Sequence, residues 1–302
     1  IGSGLVGSEM CIRDRLLAVV ALVAGMYFDG LRLQRLVKIG GYKLSIRAVL
    51  RVIFSNYFMA MLTPGASGGA VAQVLVLRSY GVPISKGTPI VLIRTVFSIM
   101  FLVIMLPLVF LRDAIEIPYI SRDMLLIFAV LAVIAALVGT YILQTKYMRQ
   151  FVYNLAQRFK AHNTKDWLSK LETLNQGLGL LYKQPVQSLI VFIESGLSLL
   201  CLYCIAPALM YAFTPDIPII DILDRMILLN LILYFAPTPG GTGIAEGLFV
   251  VLFSAFVPNG TVGIIAVGWR VVAEYMPFFI GMYAVLTLYG RQFVAQETSR
   301  EQ

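Results

Sequence analysis

The chain has 302 residues, of which 59% are hydrophobic and only 13% charged, where an ordinary soluble domain carries roughly 25% charged residues. Its apolar residues come in blocks near bilayer length, so the chain reads as an all-α polytopic membrane protein. The formal charge of +8 does not call for nucleic acid as a partner, because the basic residues lie in a few loops between apolar blocks, where anionic lipid head groups and the positive-inside bias account for them.

Residues 1–15, IGSGLVGSEMCIRDR, have neither an apolar period nor the order of a signal peptide, since their charges sit directly against the following apolar run. They resemble a translated adapter and are expected to be a non-native leader, with the native N-terminal sequence missing. A single transmembrane domain is expected over residues 16–290. Its first span is 16–37, whose later part carries Asp29, Arg32 and Arg35. Residues 45–62 run into the motif TPGASGG, and 69–80 follow it. Span 89–111 holds one intramembrane charge, Arg94, and span 124–143 holds none. The polar stretch 146–184 has apolar residues at roughly helical spacing with lysines between. It reads as one or two amphipathic helices on the inner leaflet, with a packed cytoplasmic hairpin as the alternative. Span 185–213 holds Glu194, 219–236 runs into a second motif, TPGGTG, and 244–257 follows that. The last span, 261–289, carries Arg270 and Glu274, and 291–302 reads as a polar cytoplasmic tail.

Loop charges orient these spans. The 32–51 region, with Arg32, Arg35, Lys38, Lys43, Arg47 and Arg51 and no acid, and the lysine-rich 146–183 loop are expected to be cytoplasmic. The 112–123 and 214–225 loops, richer in acid, are expected to face outward. The same parity requires that the segments flanking each TPG form either two crossings or one re-entrant hairpin.

The two motifs form an internal repeat. Six residues separate Asn56 from TPGASG and twenty-five separate that from Arg94; seven separate Asn230 from TPGGTG and twenty-six separate that from Arg270. Repeat one covers about 45–111 and repeat two about 219–289, entering from opposite sides. This is the inverted-topology arrangement, with broken or re-entrant helix pairs, that secondary transporters use. Proline lacks an N–H and clashes with the preceding turn, while glycine frees the backbone. Pro64, Gly65, Gly68 and Gly69, like Pro239, Gly240, Gly241 and Gly243, are therefore expected to end one helix and let another begin. The amides freed at the new N-terminus attract an anion such as phosphate. Thr63 and Thr238 are placed as N-caps, and Asn56 and Asn230 as partners for loosened backbone. The bland alternative is a packing kink.

An arginine in the bilayer interior costs at least a few kcal/mol unless it meets a partner or water, and guanidinium suits bidentate phosphate binding. Both Arg94 and Arg270 are expected to line one central cavity. Glu246 and Glu274 are the nearest acids; Glu274, one turn after Arg270, permits a plain intrahelical ion pair. Glu246 has no acidic equivalent in repeat one, where the matching position is Val71 and Gln73 offers a neutral polar group.

Enzyme chemistry finds little support. The one histidine, His162, lies in the basic loop, and there is no Gly-Lys-Ser/Thr phosphate loop, zinc-type histidine cluster or serine nucleophile elbow. Cys201 and Cys204 are one turn apart in an apolar run without a His or acid nearby, which favours packing over a metal. No cofactor is expected.

TPGASGGAVAQVLVLRSYGVPISKGTPIVLIRT, followed by PTPGGTGIAEGLF and a span containing Arg270, resembles the lysylphosphatidylglycerol synthase transmembrane, or flippase-like, family over about residues 16–290. The resemblance implies a multi-span domain with re-entrant helices, similar to the part of the multiple peptide resistance factor that moves aminoacylated phosphatidylglycerol between leaflets. By motif, Pro239, Gly240, Gly243, Glu246 and Arg270 carry over, with Pro64, Gly65, Gly68, Gly69, Gln73 and Arg94 in the first repeat. Two departures stand out. Family members usually have a span before residue 16, and no soluble aminoacyl-transfer domain follows 290, which argues against lipid lysylation by this chain. The expected function is a lipid translocase in the cytoplasmic membrane of a bacterial cell, with a cytoplasmic C-terminus. Its partner would be a membrane phospholipid or polyprenyl-phosphate lipid. The alternatives are an intramembrane enzyme, or a non-transporting partner of a separate synthase or glycosyltransferase; a homo-oligomer is one option.

Overall fold

A computed structural model describes residues 3–112, 122–142, 179, 184–258 and 260–298. Most of the 146–184 loop, His162 included, and most of the 112–123 loop, for which amphipathic helices and an outward placement are expected, lie outside the described residues. Eleven α-helices are described: α1 (Ser3–Ile39), α2 (Ile46–Leu62), α3 (Ser67–Ser79), α4 (Ile84–Leu111), α5 (Arg122–Ile142), α6 (Pro185–Tyr203), α7 (Ile205–Tyr211), α8 (Ile219–Leu233), α9 (Ile244–Phe253), α10 (Val262–Arg270) and α11 (Met276–Thr298). A π-helical turn, Val271–Tyr275, joins α10 to α11. The expected 291–302 tail is thus helical as far as Thr298.

Among the described residues, four helical segments are long and apolar enough to cross a membrane: Leu16–Ile39, Ile84–Leu111, Pro185–Tyr211 and Val262–Leu288. The chain is a multi-pass membrane protein. At 1.5 Å per residue, the 13 residues of α3 and the 10 of α9 reach only roughly 20 and 15 Å, short of the roughly 30 Å hydrocarbon core.

Local chemistry sets the boundaries. Ser45 caps α2 by accepting from the Ala48 amide at 3.3 Å, and Pro185 opens α6 at a position where its missing N–H costs nothing. The expected span 185–213 is broken at Cys204 because Pro207 cannot donate to the Tyr203 carbonyl. Pro277 likewise cannot donate to Ala273, and the ladder widens into the π turn just before it.

Helices α2 and α3 form one hairpin and α8 and α9 a second. The first helix of each also packs on the long helix of the opposite repeat, α2 on α11 and α8 on α4. The α2–α11 contact is close enough that a Cβ on Gly281 would collide with the Phe54 carbonyl, the small-residue contact that lets membrane helices approach. Helix α1 lies along α6 and α7 and touches α2 and α4. One continuous core joins them, from Leu22 and Leu33 on α1 through Ile53, Leu102 and Leu199 to Phe249 and Trp269. The outward faces remain apolar, with Val23, Leu189, Ile264 and Leu286 all exposed, as lipid contact requires.

Candidate functional site

The two TPG breaks meet each other, and an antiparallel bridge pairs Pro64 with Pro239. Each break uses the same turn. Gly65 and Ala66 have φ of 60° and 53°, and Gly240 and Gly241 have φ of 57° and 68°. Ala66 is the only non-glycine residue with positive φ among the described residues; its second-hairpin counterpart is a glycine, for which the left-handed region is free. In each turn two amides return to the Thr and Pro carbonyls: Ala66 to Thr63 at 3.2 Å and Ser67 to Pro64 at 3.4 Å, Gly241 to Thr238 at 3.0 Å and Thr242 to Pro239 at 3.1 Å.

The next amide separates the two hairpins. The Gly68 N–H donates to Thr63 Oγ1 at 2.8 Å, whereas the equivalent Gly243 N–H donates to Glu246 Oε2 at 2.7 Å. Neither threonine occupies the N-cap position, which falls on Ala66 and Gly243. Thr63 nevertheless performs a capping role from three residues back. Thr238 does not: its Oγ1 is buried without a hydrogen-bond partner among the described residues.

The asparagines do not bind the opened backbone. Asn56 Oδ1 accepts from Gln73 Nε2 at 2.6 Å, and Asn230 Nδ2 donates to the Met226 carbonyl at 2.9 Å, one turn back in its own helix. Asn56 also lies so close to Gly69 that a Cβ there would strike its amide oxygen.

Arg94 is buried on α4 and clamped by Asp29 of α1. Its Nε donates to Asp29 Oδ1 at 3.0 Å and its Nη2 pairs with Asp29 Oδ2. Nη1 donates to Gln73 Oε1, which links the arginine through Gln73 to Asn56. Asp29 is shared, since Arg32 Nε also pairs with its Oδ1, while Arg32 Nη1 donates to Ser98 Oγ at 2.8 Å. Two buried guanidiniums therefore rest on one buried carboxylate, leaving an excess positive charge. Asp29 and Arg32 are missed as site residues by the sequence reading, which places Arg32 among cytoplasmic loop charges. A signal existed: an acid and a base three residues apart inside an apolar run are, by position alone, candidates for function.

Arg270 has the opposite balance. Its Nε donates to Glu246 Oε1 at 2.8 Å, its Nη2 to the Gly240 carbonyl at 2.9 Å, and its Nη1 pairs with Glu274. The intrahelical pair with Glu274 and the cross-helix pair with Glu246 form together, and the guanidinium is 1% exposed.

A cavity of about 470 Å³ lies between the hairpins, within the range of about 300–1,000 Å³ usual for small-molecule sites. Arg32, Arg94, Gln73, Asn56 and Ser98 line one part of its wall; Asn230, Thr238, Gly240, Gly241, Trp269 and Glu274 line the other. Tyr57, Tyr203 and Tyr234 complete it. Arg270 and Glu246 are not among the lining residues. The expectation that both motif arginines face one cavity is therefore corrected: Arg270 is withdrawn behind Glu274, because two carboxylates and a carbonyl hold it, and Arg32 takes the place beside Arg94. A further pair, Arg35 Nη2 to Glu194 Oε1 at 2.7 Å, fastens α1 to α6 and explains the acid in that span.

The chain also matches a known family over most of its length. The profile of the lysylphosphatidylglycerol synthase TM region matches residues 11–281. A UPF0104 membrane protein of Archaeoglobus fulgidus is 22% identical over 286 residues, covering 89% of this chain and 86% of the relative. With that match spanning both hairpins and every residue of the cavity wall, the chain belongs to the lysylphosphatidylglycerol synthase transmembrane-region family.

Proposed function

We propose that this chain is a non-enzymatic lipid translocase of the cytoplasmic membrane that passes a phosphate-bearing head group between leaflets while the chains stay in the bilayer. The observation that carries the reading is the Arg32–Asp29–Arg94 cluster on a cavity wall at the junction of two broken helix pairs. A buried cluster with one excess positive charge is a receptor for an anion, and guanidinium binds phosphate in a bidentate geometry. The opened backbone beside it is tolerated at membrane depth only where it is buried or lines a cavity.

The two halves act as an inverted-topology repeat with re-entrant hairpins. Supporting this are the shortness of α3 and α9, the bridge between equivalent prolines and the reciprocal packing of α2 on α11 and α8 on α4. Rocking one half against the other about the Pro64–Pro239 contact would expose the head group to alternate leaflets. The C-terminal end of α11 lies on the cytoplasmic side in this topology.

The test is scrambling of head-group-labelled phosphatidylglycerol and a polyprenyl phosphate in liposomes holding the full chain, read by reductant access to the label. The expected result is lipid-selective movement that Arg94→Ala or Arg32→Ala lowers at least tenfold. A folded wild type that moves neither lipid, or variants that move them equally well, would overturn the reading in favour of a non-transporting partner of a synthase.

A further inference from the structure

The ion-paired charges around the cavity fall into two groups of opposite sign. Asp29, Arg32 and Arg94 together carry one positive charge, and Arg270, Glu246 and Glu274 together carry one negative charge. With the cavity empty, the two groups sum to zero. They are also close to each other: α1, which bears Asp29 and Arg32, touches the π turn that bears Glu274, and Tyr57 of α2 lies within electrostatic range of Asp29, Arg32, Arg94 and Glu274 alike. Net charge inside a membrane is costly unless it is balanced. A head group that adds a negative charge at Arg32 and Arg94 cancels the first group and leaves the second without its counterweight.

Glu274 is the group placed to restore neutrality. It is the only carboxylate among the described residues that line the cavity, its side chain is 22% exposed, and it is ion-paired to Arg270. Glu246, off the cavity wall, accepts from both Arg270 Nε and the Gly243 amide, and Asp29 is held between two guanidiniums; donors to a carboxylate favour its charged form. The other titratable groups on the wall besides the arginines, Tyr57, Tyr203 and Tyr234, keep their protons at neutral pH, and no lysine or histidine lines it among the described residues. Glu274 also sits in the π turn, a helix defect frequent at functional sites.

We propose that Glu274 is a proton-binding site coupled to the anion site: one proton joins its carboxylate with each negative charge that the head group brings, and both leave together. The empty cavity sums to zero, and the cavity holding a monoanion and a proton sums to zero again, so neither state carries net charge through the bilayer. The proton comes from water on the side where the head group enters and returns to water where it departs, which makes a proton gradient the energy source for directed movement. Linkage is reciprocal, so protonation of Glu274 favours the anion as much as the anion favours protonation.

This inference rests on the anion site of the translocase reading, and the experiment separates the two. Dioctanoyl phosphatidylglycerol is titrated calorimetrically into the full chain in detergent, in buffers of different ionisation enthalpy, whose comparison gives the protons taken up per lipid bound. Its phosphodiester keeps one negative charge throughout, unlike a phosphomonoester with its second pKa of about 6. Between about pH 5 and 9, uptake should reach at least about half a proton per lipid at its maximum, with affinity falling several-fold per pH unit there. Glu274→Gln, which holds the protonated charge state at every pH, should abolish the uptake, flatten the pH dependence and bind several-fold more tightly than wild type at the alkaline end. Melting temperature is the folding control, and the uptake by wild type decides the coupling even where the variant does not fold. Binding without proton uptake at any pH, or uptake that folded Glu274→Gln retains, overturns the inference and leaves the anion site standing. No binding by a folded wild type overturns both. Coupled binding with no movement of labelled phosphatidylglycerol in liposomes keeps the proton site and defeats the translocase reading.

Discussion

The two hairpins share a sequence motif and a backbone turn, yet they treat their arginine oppositely. In the first, Arg94 reaches outside its own repeat to Asp29 on α1 and shares that carboxylate with Arg32, so positive charge is left over on the cavity wall. In the second, Arg270 takes Glu246 from α9, Glu274 from the π turn and the carbonyl of Gly240, and withdraws from the cavity. The same motif leaves positive charge on the cavity wall on one side and forms an internal brace on the other. The cap shows the cause: in the second hairpin Glu246 holds both the freed Gly243 amide and the arginine, whereas in the first Val71 stands at the equivalent place and Thr63 caps alone.

The contrast can be broken most sharply at Arg270. Arg270→Ala leaves two carboxylates without their cation, and breaking a buried pair from one side typically costs about 3–5 kcal/mol. Reversible unfolding in mixed micelles should show a loss of that size, and adding Glu246→Gln and Glu274→Gln should recover a good part of it. If the single substitution unfolds no more readily than wild type, Arg270 is not a brace. Asp29→Asn acts next most strongly. It strands two guanidiniums, so stability falls by about 2–4 kcal/mol on the same reasoning, but binding of dioctanoyl phosphatidic acid should tighten several-fold because the competing carboxylate is gone. Unchanged or weaker binding would mean that Asp29 does not compete with the anion.

Arg94→Gln should be milder for folding, about 1–2 kcal/mol, because Asp29 keeps Arg32 as a charged hydrogen-bond partner. Phosphatidic acid binding should nonetheless drop at least tenfold. That dissociation of folding from binding, reversed at Arg270, is the measurable form of the comparison. The smallest effects lie at the threonines: Thr63→Ala removes the bond to Gly68 and should cost about 1 kcal/mol, whereas Thr238→Ala removes none among the described residues and should leave the melting temperature where it is. Equal losses at both would show that the two turns are capped alike.

Much of the fold is legible because lipid imposes simple constraints. Long apolar runs such as 89–111 must be helices, since no other open structure satisfies its backbone in hydrocarbon. Repeated Pro-Gly in such runs must mark breaks. The helix ends at Leu62 and Leu233 and the restarts at Ser67 and Ile244 follow directly. Less visible are the break at Cys204, set by Pro207 one turn later, and the π turn before Pro277. Each is a consequence of a single missing donor inside a run that otherwise reads as continuous.

For the site, local sequence suffices to mark Arg94, Arg270, Glu246, Glu274 and Gln73 as polar groups that an apolar environment must satisfy, and to pair Arg270 with Glu274 one turn on. What local sequence leaves open is which carboxylate satisfies which arginine at long range. Asp29 and Arg94 are 65 positions apart and come together only because α1 packs against α4. Residues 64 and 239 meet only because two hairpins face each other.

The sequence by itself determined that this chain is a helical membrane protein with two broken segments of one design, because hydropathy, proline and glycine act over a single turn or a single span. Only the tertiary structure decided which arginine faces the cavity. Pairing of buried charge depends on distances between helices, and those are set by how whole apolar faces pack.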